Sequence, residues 1–232
     1  MIRLPPDNPG NPAPTLPVSR QGLTFAQNLP HLTPTNLIHQ LIGDTDIYLI
    51  DQIMKGRYQA KATILDAGCG YGRNLHWFLK NDFSMYGVDQ NEQAIRDLRS
   101  RHSPQFNERF QMAALDDLPF SDKYFDHIIC SAVLHFAKDI AHFHSMVTEM
   151  VRVLQPKGSL FIRMTSDIGI EHKVHPLAGG VYQIPDGSTR FLLTRDLLAE
   201  TLQKNKLTFL EPFKTVNVND LRCMSTLVLT VG

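Results

Sequence analysis

Residues 64–74 read ILDAGCGYGRN, and the fold turns on this stretch. Two apolar residues, Ile64 and Leu65, end in an acid, Asp66, and three alternating glycines follow at positions 68, 70 and 72. Beyond them Leu75, Phe78 and Leu79 recur at helical spacing. A strand that turns into a helix through glycines brings bare backbone close to a ligand, because no Cβ stands in the way. A dinucleotide loop of the form G-x-G-x-x-G would need glycine at position 73, which is Arg73. A phosphate-binding P-loop would need G-K-S/T, which is absent.

Outward from this loop, short apolar runs alternate with helical patterns. The pattern predicts strands over 62–66, 84–88, 109–113, 125–131, 158–164, 207–217 and 223–230, hence an α/β domain with a largely parallel sheet. Asn91 and Asp139 stand where helix N-caps belong. Ile95 and Leu98 mark one helical stripe, and Ile140, Phe143, Val147, Met150 and Leu154 mark another. The last two strands are separated by a turn near Asn217–Asp220, which predicts an antiparallel hairpin. Residues 1–35 hold eight of the 14 prolines and read as an extended arm, either disordered or wrapped on the surface. The domain proper is predicted to run over 36–232, beginning with lid helices in which Ile47, Ile50 and Met54 form a stripe. Residues 166–190 read as a long, turn-rich excursion on the substrate side.

The composition narrows the class. With 232 residues, 43% hydrophobic and 20% charged, the chain has the balance of a globular enzyme. Its 23 basic and 23 acidic residues cancel, which argues against nucleic acid as a partner. No apolar stretch reaches the roughly 18–20 residues of a membrane span, and the first residues lack the apolar core of a secretory signal. Cys69, Cys130 and Cys223 are an odd set, predicted to be reduced thiols of a cytoplasmic protein.

The pattern D-x-G-x-G-x-G resembles that of the class I S-adenosylmethionine (SAM) methyltransferases. Three further segments follow in the family's order: AALDDLPF at 113–120, FDHIICSAVLHF at 125–136 and LQPKGSLFI at 154–162. The resemblance implies a three-layer, Rossmann-like α/β fold with a mostly parallel seven-stranded sheet ending in the antiparallel hairpin. It implies SAM as cofactor. The extension to G-x-G-R-N is similar to the tellurite-resistance branch and to some thiol and oxyanion methyltransferases.

By the same resemblance Asp66 reaches the amino-acid end of SAM, Gly68, Gly70 and Gly72 let the backbone pass beneath it, and Cys69 is a cofactor contact within that loop. Arg73 either pairs with the cofactor carboxylate or is an exposed helix-start arginine. Asp89, 17 residues after Gly72, is placed to accept both ribose hydroxyls, with Gln90 beside it; the other reading is an acid at the start of the next helix. The acid that usually accepts from the adenine amino group falls on Ala114, and the backbone that usually meets the ring falls on Leu115. Asp116 could substitute after a one-residue shift. Ser131 to Phe136 should line the cleft beyond the fourth strand.

The candidate catalytic residue is His135, as a base or as packing against the cofactor. His172, His175 and Arg190 are candidate substrate contacts, and Tyr48 and Arg57 candidate lid contacts. No metal site is predicted, because His142 and His144 point about 200° apart on a helix; both read as solvated or flanking positions. The function implied is methyl transfer to a small molecule at oxygen, sulfur, carbon or a metalloid oxyanion. The alternative is a catalytically silent SAM-binding protein on the same fold. Oligomeric state is not legible.

Overall fold

The computed structural model describes residues 34–102, 104 and 107–232. The proline-rich arm therefore lies outside the described residues, apart from Pro34 and Thr35, which open the first helix. Two helices lead in, α1 (Pro34–Ile42) and α2 (Ile47–Met54). The alternating core follows as β1 (Thr63–Ala67), α3 (His76–Lys80), β2 (Ser84–Asp89), α4 (Glu92–Arg101), β3 (Phe110–Met112), β4 (Phe125–Ser131), α5 (Ile140–Val153) and β5 (Leu154–Ser166).

The main sheet runs in the order β10-β11-β5-β4-β1-β2-β3, where β10 (Lys214–Val218) and β11 (Arg222–Val231) form the terminal hairpin. Strands β3, β2, β1, β4 and β5 are parallel, and β11 is antiparallel to β5. From β1 the chain moves to one side through β2 and β3, then returns to the other side at β4. That reversal opens a crevice at the carboxyl ends of β1 and β4, where such sheets bind ligands.

Successive strand residues face opposite layers, as the pleat requires. Leu65, Ile128, Leu160 and Ile162 pack in one core with Phe143, Met146 and Val147 of α5 and Leu197 of α6 (Arg195–Lys204). Ile64, Ile129 and Phe161 pack in the other with Phe78 of α3 and Ile95 and Leu98 of α4. Asn91 caps α4 by accepting from the amides of Gln93 and Ala94, and Asp139 caps α5 by accepting from that of His142.

Three features differ from the sequence reading. Residues 207–217 form two strands, β9 (Leu207–Phe209) and β10, both against β11. Pro212 between them has no amide to donate, and Glu211 turns to pair with Lys55 and Lys214. The hairpin turn itself stands, with Asn219 and Asp220 both at positive φ. Helix α2 buries Leu49 and Gln52, leaving Ile47 and Met54 at 72% and 81% exposure. Its phase is set at its two ends, by Asp46 at the start and by the Asp51–Lys214 pair (2.8 Å) at the base. The 166–190 excursion carries a second, antiparallel sheet of β6 (His175–Pro176), β7 (Val181–Gln183) and β8 (Thr189–Phe191). This small sheet rejoins the core where Leu193 bridges Ser166. Among the described residues no helix is long and apolar enough to cross a membrane.

Candidate active site

A cleft of about 460 Å³ opens at the topological reversal, lined by Gly68, Gly70, Asp89, Gln90 and Leu115 on one side and by Val133 and Phe136 on the other. The three glycines serve different ends. A Cβ on Gly68 would sit 2.4 Å from Val133, and one on Gly72 would sit 2.5 Å from Leu98. Gly70 has nothing within 4 Å, so it alone faces open space. All three are at positive φ, the conformation that excludes most side chains.

The loop's amides are already committed. Those of Gly68 and Cys69 donate to Val88 O (2.8 and 2.9 Å), and that of Gly70 donates to Asp89 Oδ2 (2.8 Å). Cys69 therefore offers neither amide nor thiol to a ligand. Its side chain packs against Gly87, and burial pushes its pKa up.

Asp66, one residue before the end of β1, is fully buried, and neither carboxylate oxygen has a partner. Burial raises its pKa to about 7; Arg73 lowers it and Asp89 raises it further. An isolated acid in so dry a place is unfavourable until a cation or donor answers it. Asp89 is different: Oδ2 is held by Gly70 and Oδ1 by the amide of Asn91 (2.8 Å). It is thus both a turn acid ahead of α4 and a cleft-lining carboxylate with lone pairs to spare.

The adenine end departs from the pattern. Leu115 lines the cleft, and Ala114 is half-buried beside it without a polar side chain. Asp116 is exposed, with its Oδ2 3.6 Å from Nε2 of His142. His142 and Met146, one turn apart on α5, line the cleft in that region with Lys138. The Lys138 amide donates to Nδ1 of His142 (3.1 Å), leaving Nε2 to carry the proton. Of the two readings of His142 and His144, solvated or flanking, the solvated one does not hold: His142 faces the cleft, and His144 is buried with Nε2 3.1 Å from Glu200. Asp139, read correctly as the cap of α5, sets the helix phase and could have pointed to His142.

Beyond the cleft, a charged network is assembled from distant segments. Asp46, the N-cap of α2, is buried and receives Ser131 Oγ and Arg163 Nη1, both at 3.1 Å, on Oδ2. Arg73 Nη2 donates to Ser131 Oγ (3.3 Å) and lies 3.7 Å from the same Oδ2. Asn74 Oδ1 accepts from the Asp46 amide (3.1 Å). Ser131 therefore does not line the cleft but is a strut between Arg73 and Asp46. Sequence reasoning missed Asp46 and Arg163, although an arginine inside the apolar run LFIRM is itself a signal.

His135 sits on a short 3-10 helix, Leu134–Phe136, with Nδ1 buried and unpartnered. Burial, then the charges of Arg190 and Arg163, lower its pKa to about 4. Arg190 of β8 lies over the ring of Phe136, 5.4 Å from its centroid. His172 and His175 are exposed and do not line the cleft. The Lys173–Asp220 pair (2.8 Å) ties their segment to the terminal hairpin, and His172 acts on Asp220 and Glu171 instead. Tyr48 lies under Arg163, 5.0 Å from ring centroid to guanidinium, whereas Arg57 turns away to Gln52 and Glu211. Among the described residues no cluster of side chains could hold a metal ion.

Residues 65–162 match the family model described as a methyltransferase domain. That segment is thus similar to a methyltransferase domain, on a fold shared with SAM-dependent methyltransferases of known structure. A SAM-dependent methyltransferase from Methanosarcina mazei superposes with a TM-score of 0.63 at 21% identity, covering 77% of this chain and 97% of its own. Another, from Clostridium acetobutylicum, gives 0.63 at 14% identity, over 85% and 97%. The cyclase SpnF gives 0.62 at 15% identity, over 79% and 82%. At these identities the likeness carries the methyltransferase fold alone. No curated protein matches the chain significantly. The cofactor of such enzymes, SAM, fits the site's chemistry: an open glycine and a half-free carboxylate line the cleft, and an unanswered acid is buried at the base of the same glycine loop.

Proposed function

We propose that the methyltransferase transfers the methyl group of SAM to a small-molecule acceptor in this cleft. The observation that carries the reading is the unpartnered Asp66 carboxylate one glycine turn away from Asp89, with Gly70 open between them. In this reading Asp66 answers the cofactor's ammonium group, and Arg73 reaches its carboxylate from the Asp46 network. Asp89 accepts from the ribose hydroxyls beside Gln90, and Leu115 and Met146 flank the adenine, with His142 offering Nε2–H.

When bound, SAM supplies an electrophilic methyl group on sulfur. The protein's task is then mainly alignment for in-line displacement, where positioning is worth about 7–11 kcal/mol. His135 is uncharged at neutral pH, and its buried Nδ1 is free to take or orient an acceptor's proton. A pKa near 4 suits orientation of an already ionised acceptor better than proton removal. The balanced formal charge supports a small acceptor over nucleic acid. Three buried cysteines without disulfides support a reducing, cytoplasmic setting.

Calorimetric titration of SAM into the protein tests the reading. Binding at one site, weakened by substitution of Asp66 or Asp89, is the result expected. Binding that ignores both substitutions, or no binding, would overturn it.

A further inference from the structure

The next step rests on the reading just given and adds the charge of the acceptor. Positive charge is gathered beside the cleft wall that carries Phe136, by elements far apart in the chain. Arg163 comes from β5 and Arg190 from β8, yet the charges of both act on the ring of His135. Arg163 and Arg73 share one carboxylate, Asp46, at 3.1 and 3.7 Å. The Nε of Arg163 is buried and has no partner.

Arg190 is less satisfied still. Its Nη1 donates to the carbonyl of Thr189 (2.9 Å), and among the described residues no carboxylate comes within ion-pair distance of it. Asp186 feels its charge from further off but accepts from the amide of Ser188. A guanidinium held over an aromatic ring, with no carboxylate partner, is set up for pairing with an oxyanion. The ring beneath it, Phe136, is 64% exposed and lines the cleft. Exposed aromatic surface below an unpaired cation suits a ligand with an apolar body and an anionic end.

We propose that the methyl acceptor is a small molecule bearing a carboxylate or phosphate group. Arg163 and Arg190 hold that group beside His135, and Phe136 and Tyr48 flank the apolar body.

The test uses the full chain saturated with S-adenosylhomocysteine and three probes of similar shape: benzoate, phenyl phosphate and neutral benzamide. Calorimetry is expected to show at least one anion binding about tenfold or more tightly than benzamide. Whichever anion binds tighter distinguishes carboxylate from phosphate. Arg190→Gln should bring that anion down to the level of benzamide while changing S-adenosylhomocysteine affinity by less than about twofold. Should the variant not fold, the wild-type protein still decides the matter. Raising salt from about 0.05 to about 0.5 M should weaken the anion and leave benzamide unmoved. Equal binding of all three probes, no binding of either anion, or salt-independent binding would overturn the proposal. Failure of S-adenosylhomocysteine to bind at the outset would instead sink the methyl-transfer reading beneath it.

Discussion

The two walls of the cleft are made in opposite ways. The cofactor wall is nearly continuous in the chain: residues 66–74 run from the end of β1 through its loop, Asp89 ends the adjacent parallel strand β2, and Gly70 bonds Asp89 directly. The opposite side, proposed to hold the acceptor, is backed by a mosaic in which Asp46, Ser131, Arg163 and Arg190 come from four segments, and Asp46 meets Arg163 across 117 positions. The first wall relies on backbone shape and the second on side-chain charge. Damage to the first should therefore appear in folding and cofactor affinity, and damage to the second in acceptor binding.

The largest effect should come from Gly68→Ala. Its new methyl would meet Val133 at 2.4 Å in a backbone at φ +80°, so urea unfolding should show a loss of about 2–4 kcal/mol. Gly70→Ala, with open space around it, should carry only the strain of its positive φ, about 1–2 kcal/mol, and act further on SAM affinity. Equal stability losses in the two variants would end the distinction between packed and ligand-facing glycines.

Asp66→Asn and Asp89→Ala come next. Each should weaken SAM by about 1.5–3 kcal/mol in calorimetry, the worth of a charged hydrogen-bond partner. They should differ without cofactor: Asp66→Asn removes an unanswered buried acid, so the variant should be at least as stable as wild type at pH 8. A clear loss there would show that Asp66 has a structural partner after all.

Asp46→Ala probes the acceptor wall. It removes the cap of α2 and leaves Arg163 facing Arg73, so it should lower stability by about 1–2 kcal/mol. SAM affinity should fall less than in the Asp66 and Asp89 variants.

The smallest effect concerns pH. The pKa of Asp66 is raised to about 7, and an ammonium partner favours its ionised form, so the bound state should hold fewer protons. SAM affinity should accordingly rise from pH 6 to pH 8 and level off above. Proton release measured in buffers of different ionisation enthalpy checks this; uptake on binding would contradict it. The same raised pKa makes the cofactor-free protein lose stability as pH climbs from about 4 through about 7, since the folded state binds the extra proton.

What could be read without coordinates was whatever the chain decides locally. The glycine positions, Asp66 and Asp89 follow from strand register and turn chemistry, and Asn91 and Asp139 cap helices because their short side chains reach the first amides. The same local rules failed where packing chose otherwise. The apolar Ile47 and Met54 are exposed because charged pairs at the base of α2 set its rotation, and Cys69 turned inward because Gly87 leaves it room.

From its order of residues alone this chain determined an α/β sheet and a bare-backbone berth at its reversal, because backbone conformation and side-chain alternation act over a few residues. Only the tertiary structure decided the far wall. There Asp46, Ser131, Arg163 and Arg190 meet through sheet order and a small inserted sheet, and charges brought together by topology leave no periodic trace along the sequence.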